Sequence, residues 1–467
     1  MQDALTTFFS QFEPVPWLCY LFPVLALGIL IRCAVSLLTF RPEPEVWAWL
    51  TTPDGAHIPV THWESLIGRG AGCDVQLGYP TVSRTHAVLT RYDDGSWTIS
   101  DAHSKSGVFV NGKQTALSAL RFGDVITMGG INFTLIPLTK EQERIQAGTR
   151  TRAGHAVHGT TRQVLSLITN PVDVICRNIR TVRATMESGR PDILGCHLEG
   201  PFLALARKGA HDPECLKDPV PDIVDKMLEA SGADPASGKL GCIRQITIAP
   251  ELPHGISAIR QFAAAGVVPA VGHCDADYET AKAGFDAGAG IMTHMFNAMN
   301  GLHHREPGPI PAAVEDPRVT IELINDGFHV QDPMVSLSFR FAPHRTAFVT
   351  DAMAATDCPD GAYKLGALDV NVVGGHARLV SNGAIAGSTL LLEVAVRRAV
   401  CELGFSPVDA VEAATLTPAK AFGFDRPNPV TGAPIGLIAP GFAADFNLAD
   451  PADWTVEQVW CAGRKLK

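Results

Sequence analysis

The chain has 467 residues, enough for two or three average domains. Its 38 basic and 48 acidic residues leave a formal net charge of -10, which argues against a general nucleic-acid binder. The 11 cysteines are scattered without a C-x-x-C pair, so they read as reduced thiols rather than a disulfide framework.

Residues 17–40, WLCYLFPVLALGILIRCAVSLLTF, form a 24-residue apolar run whose one charge is Arg32. That length can span a hydrocarbon core, and no polar face recurs at helical spacing to suggest a buried amphipathic helix. Acidic Asp3 and Glu13 precede the run, while Arg32 and Arg41 lie at or beyond its far end. The positive-inside bias therefore predicts a single-pass helix at the cell membrane, with 1–16 outside and everything after it in the cytoplasm.

From 46 to 138 the sequence is short alternating apolar runs, such as SWTISD and GVFVNG, broken by Asp54-Gly55, Asp94-Gly95 and Asn111-Gly112. Those dipeptides tolerate positive φ and mark hairpins, so an all-β sandwich is expected. The polar stretch 139–158 reads as a linker. Beyond it, strand-like runs at 163–169, 192–198, 244–250, 267–273, 290–296, 319–326 and 346–352 alternate with helical segments such as DPVPDIVDKMLEASG and DYETAKAGFDAGA. This βα repetition over 159–424 predicts a parallel barrel with seven strands, one short of eight. A β-rich tail follows from 436 to 467.

Polar residues gather where these strands end, the face on which barrel sites are built. In ILGCHLEGPF a buried strand finishes on Glu199, where an unpaired charge is expensive. His273, His294 and Asp351 end other runs, and His329 follows the sixth. Taken singly, each is more readily a hydrogen-bonded strand end. Five in one register point to a site, with Glu199, His273 and His294 a suitable ligand set for a divalent cation and Asp351 a general base. Zinc is the default for such ligands, while iron, manganese or cobalt fit similar sets.

The motifs HLEGPF (197–202), KGAH (208–211), VGHCDAD (271–277), THMFNAM (293–299), REPG (305–308), NDGFH (325–329), VTDAM (349–353) and AGS (386–388) resemble the N-acetylglucosamine-6-phosphate deacetylases of the amidohydrolase superfamily. The resemblance runs from about 158 to 467. It implies a metal on Glu199, His273 and His294, Asp351 as acid–base, His329 as oxyanion partner, and release of acetate and glucosamine 6-phosphate. It also implies substrate contacts at Ala210, His211, Asn297, Ala298, Arg305, Ala386 and Ser388, with His211 and Arg305 on the phosphate, and a homodimer. One departure stands out. Members carry a half-sandwich and a first barrel strand with an H-x-H motif, and neither occurs here, so the fold expected is an incomplete (β/α)8 barrel with a partial C-terminal β-sandwich. Single-metal members do not use that pair as ligands.

Residues 66–112 resemble a forkhead-associated (FHA) domain through Gly68-Arg69, Ser83-Arg84-Thr85-His86, Gly107 and Asn111-Gly112. That resemblance implies a phosphothreonine peptide as partner, held by Arg69 and Ser83 with Arg84 assisting, and a structural role for His86, Asn111 and Gly112. Ser106 stands where members often carry Asn. Three readings follow: a membrane-tethered deacetylase with a phosphopeptide module, a phosphopeptide-binding protein with an inert barrel, and a recombined fusion of unrelated parts.

Overall fold

The computed structural model describes residues 46–92, 95–137, 154–234 and 237–467. The expected membrane helix at 17–40, the tail 1–16 and most of the expected linker lie outside the described residues. Among the described residues no helix is long and apolar enough to cross a membrane. The chain divides into two compact units, Met1–Arg150 and Thr151–Lys467.

In the first unit, a six-stranded and a five-stranded sheet enclose a core that includes Leu50, Ile67, Leu89, Ile99, Ile126 and Phe133. Each core strand buries alternate residues, as a sandwich requires: Trp97–Asp101 buries Trp97 and Ile99 and turns the residues between them outward. Asn111 (φ 48°) and Gly112 (φ 80°) make the tight two-residue turn between Val108–Val110 and Lys113–Thr115.

The second unit is built on seven parallel strands in chain order: Gln163–Ile168, Ile193–Glu199, Ile243–Ile248, Val268–Val271, Ile291–Met292, Thr320–Leu323 and Thr346–Phe348. All seven fall within one residue of the runs picked from sequence, and several are shorter. The run 290–296 shrinks to two strand residues because His294, Phe296 and Ala298 take left-handed φ values of 26°, 78° and 52°, which bend the chain away. Central strands such as Ile193–Glu199 and Ile243–Ile248 are buried at every position, since helices cover one face and barrel side chains the other. Gly195 (φ 145°) is required there: a Cβ would sit 2.3 Å from the carbonyl oxygen of Cys242, the residue before the next strand.

Connecting helices start and stop where their ends demand. Asp277 accepts from the Thr280 N–H at 2.8 Å to open Tyr278–Asp286. Pro221 opens Pro221–Ser231, and left-handed Gly232 closes it. Gln163–Ile168 and Thr346–Phe348 lie at the two margins of the sheet and do not pair, so the barrel is open. A cavity of about 1040 Å³ extends from the strand ends into that gap. Val408, Val411, Leu437 and Ile438 line it and are exposed. The C-terminal tail forms its own antiparallel sheet of Phe446–Ala449, Val456–Cys461 and Arg464–Lys465. It is tied to the chain before the first barrel strand by a forked ion pair, Arg162 Nε and Nη2 to Asp445 at 2.5 and 3.1 Å.

Candidate functional site

Glu199 is the last residue of its strand, and His273 and His294 each follow theirs by two residues. These three ends bring Glu199 Oε1, His273 Nε2 and His294 Nε2 into a triangle with all sides 3.1 Å. All three residues are buried. His273 (φ 48°), His294 and Asp351 (φ 48°) hold left-handed backbone that side-chain-bearing residues ordinarily avoid, a strain that gathers at functional sites. Gly200 (φ 91°) makes the turn after Glu199, where a Cβ would lie 2.1 Å from Thr169 Oγ1. The HLEGPF motif thus combines a carboxylate with the glycine that lets it end the strand.

The donor set fits a cation. His273 Nδ1 donates to the Arg207 carbonyl at 2.8 Å, so in neutral His273 the Nε2 atom is a lone pair. A lone pair 3.1 Å from a carboxylate oxygen and a second imidazole nitrogen repels both unless positive charge lies between them. Tetrahedral zinc with bonds of about 2.0–2.2 Å spaces its ligand atoms by about 3.3–3.6 Å, close to the triangle seen. Burial raises the Glu199 carboxyl, but the adjacent His273 and His294 outweigh it and hold the group well below its ordinary range. For His294, burial works against charge, yet Glu199 raises it to about 9. Without a cation, a proton occupies this cluster.

Asp351 lies three residues beyond Phe348, rather than on the strand itself, and lines the same cavity as Glu199 and His294. Burial, followed by the Glu199 charge, pushes its carboxyl up to about 7. His329 donates from Nδ1 to Asp326 Oδ2 at 2.6 Å, while Asp326 Oδ1 accepts the backbone N–H groups of Phe328 and His329 at 2.8 Å each. Burial opposes the Asp326 charge, but His329 and those N–H groups keep it ionised. Sequence reasoning passed over Asp326, although it stands inside the NDGFH motif.

A polar layer beneath the triangle was also missed. His197 bridges Ser166 Oγ and Thr247 Oγ1 at 2.9 Å each, and Gln245 Nε2 donates to Glu322 Oε1 at 2.9 Å. Burial holds His197 neutral, at about 4, and pushes Glu322 up to about 7. Alternation along the strands is the signal that could have found His197, since it shares a face with Glu199 two residues on.

The remaining site residues are spread more widely. His211 is buried against the triangle, its Nε2 3.9 Å from Glu199 Oε2 and its Nδ1 donating to Thr169 Oγ1 at 2.8 Å. Burial lowers it to about 3, so it is a neutral ring beside the Glu199 carboxylate. Arg305, expected as its companion, is exposed on the loop after Asn300. Ala210, Ala386 and Ser388 are buried, and the Ser388 hydroxyl donates to the Thr350 carbonyl beside Asp351. Asn297 donates from Nδ2 to the His294 carbonyl at 3.3 Å, next to left-handed Ala298.

In the first unit, Arg69 and Arg84 are exposed and Ser83 is half-buried on adjoining loops. The Arg69 N–H donates to the Ser83 carbonyl at 2.9 Å, and Ser83 Oγ accepts from the Lys105 N–H at 3.0 Å. Gly68 permits this approach, because a Cβ there would meet the Arg84 carbonyl oxygen at 2.3 Å. His86, fully buried, accepts the Ser83 N–H at Nδ1 (3.0 Å) and donates from Nε2 to the Gly107 carbonyl (3.2 Å). Asn111 joins its turn to Asp124 and Val125. Ser106 Oγ accepts the Gly129 N–H at 3.2 Å.

Comparison with known proteins places both units. Residues 101–466 match the Amidohydrolase family and residues 65–129 the FHA domain, the overlap falling in sandwich strands. N-acetylgalactosamine-6-phosphate deacetylase of Escherichia coli O157:H7 is 35% identical, over 64% of this chain and 75% of its own length. N-acetylglucosamine-6-phosphate deacetylase of Vibrio furnissii is 32% identical, over 66% and 74%. The solved Mycobacterium smegmatis N-acetyl-D-glucosamine-6-phosphate deacetylase is 38% identical, with a TM-score of 0.62 over 70% of this chain and 82% of that one.

The His294 shift sets a pH test. Its folded value of about 9 lies above the ordinary imidazole value of about 6.5, so the proton stabilises the cation-free fold fully below about pH 6.5 and is lost as pH rises through about 9. Chelator-treated protein is expected to lose thermal stability over that window, whereas zinc-loaded protein keeps it. Parallel melting curves for the two forms would contradict the assignment.

Proposed function

The chain belongs to the amidohydrolase family, and we propose that its second unit is a metal-dependent deacetylase that converts N-acetylglucosamine 6-phosphate to glucosamine 6-phosphate and acetate. The observation that carries this reading is the buried triangle of Glu199, His273 and His294 opening into the cavity that Asp351 lines. A divalent cation held by those three side chains, zinc by default, supplies Lewis acidity and lowers the pKa of water at the site.

The chain's own residues do the remaining work. Asp351, at about 7, is poised to take a proton from the attacking water near neutral pH and return it to the departing amine. Burial and then the Glu199 charge raise Asp351, and a cation held by Glu199 would offset part of that repulsion and favour the ionised carboxylate. His329, held by its Nδ1–H to Asp326, would donate to the oxygen that gains charge as the acetyl carbon is attacked when Nε2 also carries a proton. His211, neutral and adjacent, together with Ala210, Asn297, Ala298, Ala386 and Ser388, would position the sugar. The exposed Arg305 guanidinium would meet the phosphate as a forked donor. The homodimer belongs to the same proposal. So does the tether at 17–40, which rests on the hydropathy of that run alone and would hold both units at the cytoplasmic side of the cell membrane.

The gap between Gln163–Ile168 and Thr346–Phe348 favours one competing reading, an inert barrel behind a working phosphopeptide module. In either reading the first unit would bind a phosphothreonine peptide through Arg69 and Ser83, with Arg84 assisting, since a guanidinium and a hydroxyl suit a phosphate ester.

Acetate release from N-acetylglucosamine 6-phosphate by the full chain separates the two readings, with N-acetylgalactosamine 6-phosphate run in parallel. Asp351→Asn is expected to lower kcat by about 10²–10⁴-fold while the protein keeps its metal. A folded, metal-loaded parent with no turnover on either sugar selects the inert reading. Arg69→Ala is expected to weaken phosphothreonine-peptide binding at least about tenfold in a fluorescence-anisotropy titration, through loss of a charge-assisted contact. Unchanged affinity would remove Arg69 from that role.

A further inference from the structure

A second cluster of metal-type ligands lies apart from the strand ends. His344 sits in the turn between the helix Asp332–Phe341 and the last barrel strand Thr346–Phe348, with a left-handed φ of 61°. Asp409 and Glu412 stand three residues apart on Pro407–Ala414, a spacing that puts both on one helix face. One ligand atom from each of the three residues falls within 4.8 Å of the others, and His344 Nδ1 is 2.7 Å from Glu412 Oε2. The neighbouring cation, Lys420, approaches the other carboxylate oxygen, Oε1, at 3.7 Å, so Oε2 is left to the cluster.

An independent feature points at the same place. Thr417 is 2% exposed, yet its Oγ1 has no hydrogen-bond partner. It lines a cavity of about 180 Å³ together with His344, Asp409 and Glu412. A buried hydroxyl without a partner is destabilising unless something in the cavity meets it. One imidazole nitrogen and two carboxylate oxygens form a borderline donor set that suits zinc, with cobalt or nickel as substitutes.

We propose that His344, Asp409 and Glu412 form a second divalent-cation site, of zinc type, whose outer sphere is completed at the cavity floor by the Thr417 hydroxyl. A cation there joins the turn feeding the last strand to the helix Pro407–Ala414. That strand is an unpaired margin of the open barrel, so the clip braces the sheet where hydrogen bonding ends. The site is structural and does not depend on the deacetylase reading.

The test is zinc stoichiometry on the metal-stripped full chain, by equilibrium dialysis and elemental analysis, for the parent, His344→Ala and Asp409→Asn. Each variant is expected to bind one equivalent fewer than the parent and to lose a zinc-induced rise in melting temperature, while His273→Ala removes a different equivalent. Asp409→Asn changes a single exposed atom pair, so it reads the site even where His344→Ala unfolds. Equal stoichiometry in parent and Asp409→Asn, with unchanged zinc affinity, overturns the proposal. Loss of an equivalent only in His273→Ala overturns it as well, and leaves the first site standing.

Discussion

A carboxylate enclosed by two imidazoles is the constraint around which the second unit is arranged. Glu199 Oε1 lies 3.1 Å from a lone pair on His273 and 3.1 Å from His294 Nε2, in a space from which water is largely shut out. Such a cluster is repulsive unless a cation or a proton sits within it. The surroundings keep the requirement strict. Arg207 fixes the His273 tautomer, Thr169 donates to the Glu199 carbonyl, and burial holds His211 and His197 neutral so that neither can supply the missing charge. Burial, and then the Glu199 charge, raises Asp351 toward neutrality, so the metal position and the base are electrostatically linked.

The scaffold meets this demand without closing. Ligand-bearing strands are interior to the seven-stranded sheet, each flanked on both sides, so the triangle does not rely on the two unpaired margins. What the open side changes is solvent access and packing: the cavity that reaches the site continues into the gap, where exposed apolar residues such as Ile438 stand. Unpaired parallel edges and bare apolar surface are features that folded proteins ordinarily cover. The Arg162–Asp445 fork and the Asn447 bond to the Gly159 carbonyl draw the tail sheet to the start of the first strand, which partly compensates.

Much of this was legible in the chain itself, for identifiable reasons. Parallel strands buried on both faces are continuous apolar runs, so all seven strands of the sheet among the described residues could be counted. Glu199, His273, His294 and Asp351 announced themselves as polar residues ending such runs. Other features depend on contacts that spacing does not encode. The 290–296 run lost most of its strand to left-handed turns at His294 and Phe296. The motif of His211 implied a phosphate contact, but its packing against Glu199 depends on tertiary structure. Asp326 and Glu322 were invisible as site members because each acts through a partner, His329 and Gln245, that only the fold brings near. In the first unit, His86 could be assigned to structure by resemblance, whereas the Lys105 N–H on Ser83 Oγ required coordinates.

The central claim is that one cation is shared by three strand ends. Anomalous diffraction from zinc-soaked crystals, collected on both sides of the zinc edge, tests it most directly. The account predicts a peak within about 2.0–2.2 Å of Glu199 Oε1, His273 Nε2 and His294 Nε2 together. No peak among those atoms in a fully zinc-loaded crystal would contradict it.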